Sequence, residues 1–265
     1  MESHVPHKQR LWLYVLTALI LIFLVLPTLI VIPMSFSSAN SLAFPPPGWS
    51  MRWYESFFGQ EKWLLSTWVS LRVAFGTMIL ATTLGTAAAY GLHVGSFALR
   101  GTISSVLIAP LAIPSILLAI GMFFVYASGG LLNSMLGLVI AHTLVATPFV
   151  LITMTAGFKT YDLSQEMVAR SLGASRLKAF FTITLPQLKF SVISAALLAF
   201  IVSFDEVVIS VFISAGPNST LTKVMFSTLR DDVDPTIAAV STLMLIIATV
   251  PPLVLQLLAN RKREP

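Results

Sequence analysis

An all-α polytopic membrane protein with six transmembrane helices is the fold class this sequence predicts. Three observations carry it. Hydrophobic residues fill 56% of the 265 positions and charged residues 10%, where an ordinary soluble domain uses about 25% charged residues to cover its surface. Charge-free runs recur along the chain, and about 20 apolar residues are enough for a helix to cross a bilayer. Cysteine is absent, which excludes a disulfide scaffold and any zinc–thiolate or iron–sulfur site. The net charge of +5 belongs with this class, because basic residues of membrane proteins gather in cytoplasmic loops. It is no sign of nucleic-acid binding.

The spans follow from the gaps between charges. Residues 11–33 carry no charge and come after His4, His7, Lys8 and Arg10. The run is longer than a signal-peptide core and no small-x-small cleavage site succeeds it, so it reads as a retained first span. Span 2 covers about 68–92, with a charge-free stretch between Arg72 and His93. From Gly101 to Phe158 there is no Asp, Glu, Lys or Arg, and His142 is the one histidine. Ser128-Gly129-Gly130 and Asn133 divide this run into span 3 (about 103–127) and span 4 (about 133–157). Span 5 covers about 188–213 and span 6 about 236–259. Residues 1–265 thus form a single transmembrane domain, with one long inner loop at 158–187.

Orientation follows from the basic residues. With the N-terminus inside, the inner segments hold Lys8, Arg10, Arg100, Lys159, Arg170, Arg176, Lys178, Lys189, Arg261, Lys262 and Arg263. The outer segments hold Arg52, Lys62, Lys223 and Arg230, with Arg72 at the outer mouth of span 2. Eleven against four places both termini in the cytoplasm. Trp49, Trp53, Trp63 and Trp68 cluster in the first outer segment and predict a lateral helix at the membrane interface. Phe44-Pro45-Pro46-Pro47-Gly48 reads as a stiff connector leading into it. Pro27, Pro33, Pro110, Pro114, Pro148, Pro251 and Pro252 lie inside spans. Each frees a backbone carbonyl, which suits kinked helices around a pathway and ordinary bundle irregularity alike.

The inner loop predicts two short helices. Asp162 or Ser164 can cap the first, with Glu166 well placed in its first turn. Gly173 ends it, Ser175 caps the second, and Pro186 fits the first turn of span 5. From pattern alone, such an element fits either a groove on another protein or the lipid surface.

The stretch Val168-Ala169-Arg170-Ser171-Leu172-Gly173-Ala174-Ser175, followed by Ile183-Thr184-Leu185-Pro186, resembles the cytoplasmic EAA motif of ABC importer permeases. From Gly173 a nine-residue gap reaches Ile183, with Leu185-Pro186 in register. The E-A-A positions themselves read Met167-Val168-Ala169, and Glu166 stands one residue early. Phe44–Tyr54, Pro110-Leu111-Ala112-Ile113-Pro114 and Ser203-Phe204-Asp205-Glu206-Val207-Val208 resemble segments of the spermidine/putrescine-type subgroup.

The resemblance implies a type I ABC importer permease, multi-pass in a bacterial inner membrane. It implies half of a pore completed by a second, homologous permease. Two ATPase subunits would carry ATP and magnesium, and a periplasmic binding protein would deliver the substrate. Residues Glu166, Ala169, Arg170, Ser171, Leu172, Gly173, Ala174 and Ser175 would form the ATPase-coupling helix. No cofactor or catalytic residue is implied on this chain, and it lacks a G-x-x-x-x-G-K-[ST] phosphate loop. The implied cargo is a small cationic amine such as spermidine or putrescine. An aminophosphonate, an amino acid or another organic amine is the alternative, and an ATPase-independent secondary carrier is a further one.

Asp205 and Glu206 are the acidic residues inside a predicted span. A carboxylate at the centre of a membrane helix costs about 2.5–3.5 kcal/mol and usually faces a cavity or a partner. On a continuous helix the two would point about 100° apart, so one faces the route and the other a neighbour. Asp205 is the expected substrate contact. Tyr126, near the outer end of span 3, suits either the pathway or the interface. His142 has no neighbours that suggest a metal or catalytic set, and reads as a hydrogen-bonded structural histidine.

Overall fold

The computed structural model describes residues 10–261. Lys8, Lys262 and Arg263, which enter the orientation argument, lie outside the described residues. Among those described, the regular elements are helices, with one isolated bridge between Ser37 and Trp49. Four helices are long and apolar enough to cross a membrane, and two sharply bent pairs raise the number to as many as six.

In chain order the helices are α1 (Leu11–Ser35), α2 (Arg52–Gly59), α3 (Glu61–Val94), α4 (Arg100–Ile108), α5 (Ser115–Gly129), α6 (Met135–Lys159), α7 (Ser164–Ser171), α8 (Arg176–Ala179), α9 (Leu185–Gln187), α10 (Lys189–Phe204), α11 (Val208–Ile213), α12 (Leu221–Asp232) and α13 (Thr236–Arg261). Two compact units result.

The smaller unit combines residues 10–61 with Thr228–Ile247. Ser38 donates its N–H to Gly48 at 3.0 Å and Ser50 to Phe36 at 2.7 Å. The Ser35 hydroxyl lies 2.8 Å from the Tyr54 hydroxyl, and Ser56 Oγ 3.0 Å from Thr236 Oγ1. The structure corrects the expected tryptophan-rich lateral helix. α2 carries Trp53 alone, Trp49 precedes it, and Trp63 and Trp68 belong to α3.

The larger unit, Lys62–Ser227 with residues 248–261, holds the bundle. α3 and α6 approach closely because their facing side chains are small. A Cβ on Gly85 would lie 2.6 Å from Val150 Cγ1. One core gathers Ala81, Ala89, Ala146, Val150, Met154 and Ala195. A second gathers Val73, Ala119, Tyr126, Leu138, Ala141 and Ile209.

Two expected spans are not straight rods. Span 3 bends by 96° between Arg100–Leu111 and Ser115–Gly129. Pro114 sits at the start of α5, lacks an N–H, and disfavours helical backbone at Ile113 before it. The second loop helix runs on from α8 through a π-helical turn at Phe180–Thr184 to Gln187. It then bends by 81° into α10. Pro186 therefore precedes the bend, correcting its expected place in the first turn of span 5. Span 5 itself is interrupted. α10 ends at Phe204, and Asp205-Glu206-Val207 separate it from α11.

Candidate functional site

Two regions concentrate the polar chemistry of the larger unit. The first is the loop segment 158–187. Asp162 accepts from the Ser164 hydroxyl at 2.7 Å and its N–H at 2.9 Å. Chiefly that hydroxyl holds the Asp162 carboxyl below the usual carboxylate range. At the other end of α7, the Gly173 N–H bonds Arg170 O at 3.0 Å and the Ala174 N–H bonds Ala169 O at 3.1 Å. This paired closure requires a left-handed residue, and Gly173 supplies it at φ +93°. Ser175 then caps α8 by accepting the Lys178 N–H at 3.3 Å.

The segment presents a mostly exposed face. Arg170, Ser171, Leu172, Gly173 and Ser175 are exposed or half-exposed, and Ala169 and Ala174 lie beside them on the same turn. Leu172 is 84% exposed and Leu177 72%. Glu166 points the other way and is 2% exposed. Its Oε1 accepts from the Tyr90 hydroxyl at 2.5 Å, and its Oε2 from the Thr184 hydroxyl at 2.8 Å. Thr184 also meets the Tyr161 hydroxyl at 2.9 Å, and Arg176 Nε donates to Tyr90 at 3.2 Å. The carboxylate is thus the hub of a buried network joining α3, α7 and the π-helical turn. Sequence reasoning missed Tyr90 and Thr184, which lie 76 and 18 residues from Glu166.

The second region is the break in span 5. The two carboxylates there do different things. Glu206 Oε1 accepts the Ile209 N–H at 3.0 Å and caps α11. Its carbonyl accepts from the hydroxyls of Ser210 and Thr222, each at 3.0 Å. Asp205 is exposed, and its carboxylate has no hydrogen bond or ion pair among the described residues. His142, 1% exposed, straps the break from α6. Nδ1 lies 2.9 Å from Ser203 Oγ and Nε2 3.2 Å from Ser210 Oγ. Both nitrogens are engaged by the two helices that the break separates. The expected rod with side chains 100° apart is replaced by a backbone turn that assigns the two acids separate surroundings.

Tyr126 is 7% exposed and packs with Leu138, Ala141 and Ile209. The structure places it in the core of this chain. The Arg72 guanidinium lies 5.7 Å from the Trp68 ring.

Residues 81–264 match the family of binding-protein-dependent transport system inner membrane components. The chain belongs to that family. Membership sets aside the secondary-carrier reading. The putrescine transport system permease protein PotI of Escherichia coli (strain K12) is 32% identical over 92% of this chain and 89% of its own. The spermidine/putrescine transport system permease protein PotC of Haemophilus influenzae is 26% identical over 91% of this chain and 94% of its own. The fold is shared with a bacterial alginate ABC transporter crystallised with its alginate pentasaccharide-bound periplasmic protein, at a TM-score of 0.69 and 15% identity, over 97% of this chain and 95% of that one. The chain is therefore an all-α, multi-pass inner-membrane permease component.

Proposed function

We propose that this permease forms half of the translocation pathway of an ATP-driven importer for a small cationic amine of the polyamine class, with Asp205 as its substrate contact. One observation carries the reading: an exposed carboxylate that has no partner among the described residues, at the break of a membrane span. An unpaired carboxylate in a poorly hydrated route attracts an ammonium strongly. The polyamine names of PotI and PotC support the same substrate class.

The remaining assignments belong to this proposal. A second permease completes the pore, two ATPase subunits hold ATP and magnesium, and a periplasmic binding protein delivers the amine. Both termini and the loop 158–187 face the cytoplasm. The exposed face from Ala169 to Ser175 docks on an ATPase, while Glu166 acts from inside as a positioning residue that holds that face in place.

The test is Asp205→Asn in the assembled transporter. The substitution conserves volume and breaks no hydrogen bond, so assembly and binding-protein-stimulated ATP hydrolysis should persist. Uptake of labelled putrescine or spermidine should fall at least about tenfold, the equivalent of about 1.4 kcal/mol. Wild-type uptake in this variant would sink the assignment of Asp205. Failure of every amine to stimulate the wild-type ATPase would sink the substrate class.

A further inference from the structure

A polar cavity lies away from the loop face and from the break in span 5. It occupies about 320 Å³ where α3, α4 and α6 come together. Its polar lining is His93 from the end of α3, Arg100 and Ser104 from α4, and Thr155 and Lys159 from the end of α6. No carboxylate lines it among the described residues. Arg100 and Lys159 have no ion pair among the described residues. The His93 ring stacks on Phe158, with centroids 5.3 Å apart and planes at 22°. That contact fixes the imidazole plane, yet Nε2 is buried with no hydrogen-bond partner among the described residues. Buried polar atoms are rarely left so, unless water or a ligand completes them. α4 also begins at Arg100, so the positive end of its dipole lies on this side.

Two unpaired cations, an unsatisfied imidazole nitrogen and two hydroxyls describe a site for a phosphate group. The membrane selects its source. α3 and α6 end here and α4 begins here, and the proposed orientation puts all three ends at the cytoplasmic interface. Basic pockets between helices at that level match anionic lipid headgroups. We propose that this cavity binds the phosphodiester headgroup of an anionic phospholipid of the inner leaflet. The headgroup would lie against Arg100 and Lys159, with His93 Nε2 as a further hydrogen-bonding partner. A lipid held there clamps the α3–α4 turn to the end of α6, the helix that leads directly into the loop segment.

The inference rests on the orientation proposed above, which is tested separately. The chain has no cysteine, so Ser96→Cys places a single thiol in the α3–α4 turn. It should resist a membrane-impermeant maleimide in spheroplasts and react after permeabilisation. Labelling in intact spheroplasts would overturn the orientation itself.

For the site, the transporter complex is reconstituted in phosphatidylcholine nanodiscs with or without phosphatidylglycerol, then released for native mass spectrometry. Wild type should retain phosphatidylglycerol in preference to phosphatidylcholine. Arg100→Gln with Lys159→Gln should weaken that retention about thirtyfold, the loss of two cations near the bilayer surface. Arg100→Lys keeps the charge and should keep the lipid. Equal retention of both lipids by wild type, or loss of phosphatidylglycerol in Arg100→Lys as severe as in the double variant, would overturn the proposal. Inorganic phosphate that stabilises wild type in phosphatidylcholine discs as much as phosphatidylglycerol does would assign the site to a soluble anion and also overturn it.

Discussion

The Tyr90 hydroxyl donates to Glu166 Oε1 across 2.5 Å, joining the C-terminal part of α3 to the first turn of α7. Thr184 secures the other carboxylate oxygen. Tyr90 also packs on Phe180, with ring centroids 4.7 Å apart, so the polar link and the apolar contact act on the same turn. An acid placed for docking would be exposed. This one is buried, so the loop segment is held to the bundle from within.

Removing that acid should loosen the loop. Glu166→Ala leaves the Tyr90 and Thr184 hydroxyls without their acceptor, a cost of about 1–3 kcal/mol for each group left unsatisfied. Glu166→Gln retains an acceptor for Tyr90 and should behave close to wild type. Trypsin cleavage at Arg170 and Arg176 in membranes checks it. Faster cleavage is expected in Glu166→Ala than in Glu166→Gln, and equal rates would show that the carboxylate does not hold the segment.

Gly173 tests the turn between α7 and α8. An added Cβ would meet no atom within 4 Å, so substitution costs backbone strain alone in the free chain. Gly173→Val should lose about 1–2 kcal/mol of local stability, whereas Gly173→Asn tolerates the left-handed region. Both should reach the membrane, and the valine variant should retain less ATPase on co-purification. Gly173→Arg adds bulk at the proposed interface and should release the ATPase or uncouple it. Full assembly and transport in the arginine variant would remove this loop from the coupling role.

His142 tests the strap across the break. His142→Phe strands the buried Ser203 hydroxyl, while Ser210 keeps its bond to the Glu206 carbonyl, and should destabilise by about 1–3 kcal/mol. Adding Ser203→Ala removes that stranded hydroxyl and should recover part of the loss. Thermal unfolding of the purified chain in detergent measures both, and an additive double variant would deny the pairing.

Close packing of α3 on α6 gives a test confined to the bundle. Gly85→Ala drives a methyl to 2.6 Å from Val150 Cγ1, and overpacking of this kind costs about 1–3 kcal/mol. Val150→Ala in the same chain should restore most of the loss. Melting temperatures of the two single variants and the double variant decide whether these residues touch.

The sequence by itself determined the features set by local chemistry. Charge-free length marked the spans, because a bilayer accepts long apolar helices and little else. Gly173 and Ser175 marked the ends of α7 and α8, because a left-handed position and a helix N-cap each favour few residue types. The features that only the tertiary structure decided depend on groups far apart in the chain. Glu166 turned inward because Tyr90 and Thr184 offer it two hydroxyls, and no spacing rule connects those positions. Tyr126 went to the core because Leu138, Ala141 and Ile209 surround it. The break after Phe204 has neither Gly nor Pro to announce it. It exists because His142, Ser210 and Thr222 satisfy the backbone and side chains that a continuous helix would have used otherwise. Asp205 and Glu206, adjacent and chemically alike, were separated by that turn, since a capping role was available to one carboxylate and not to the other.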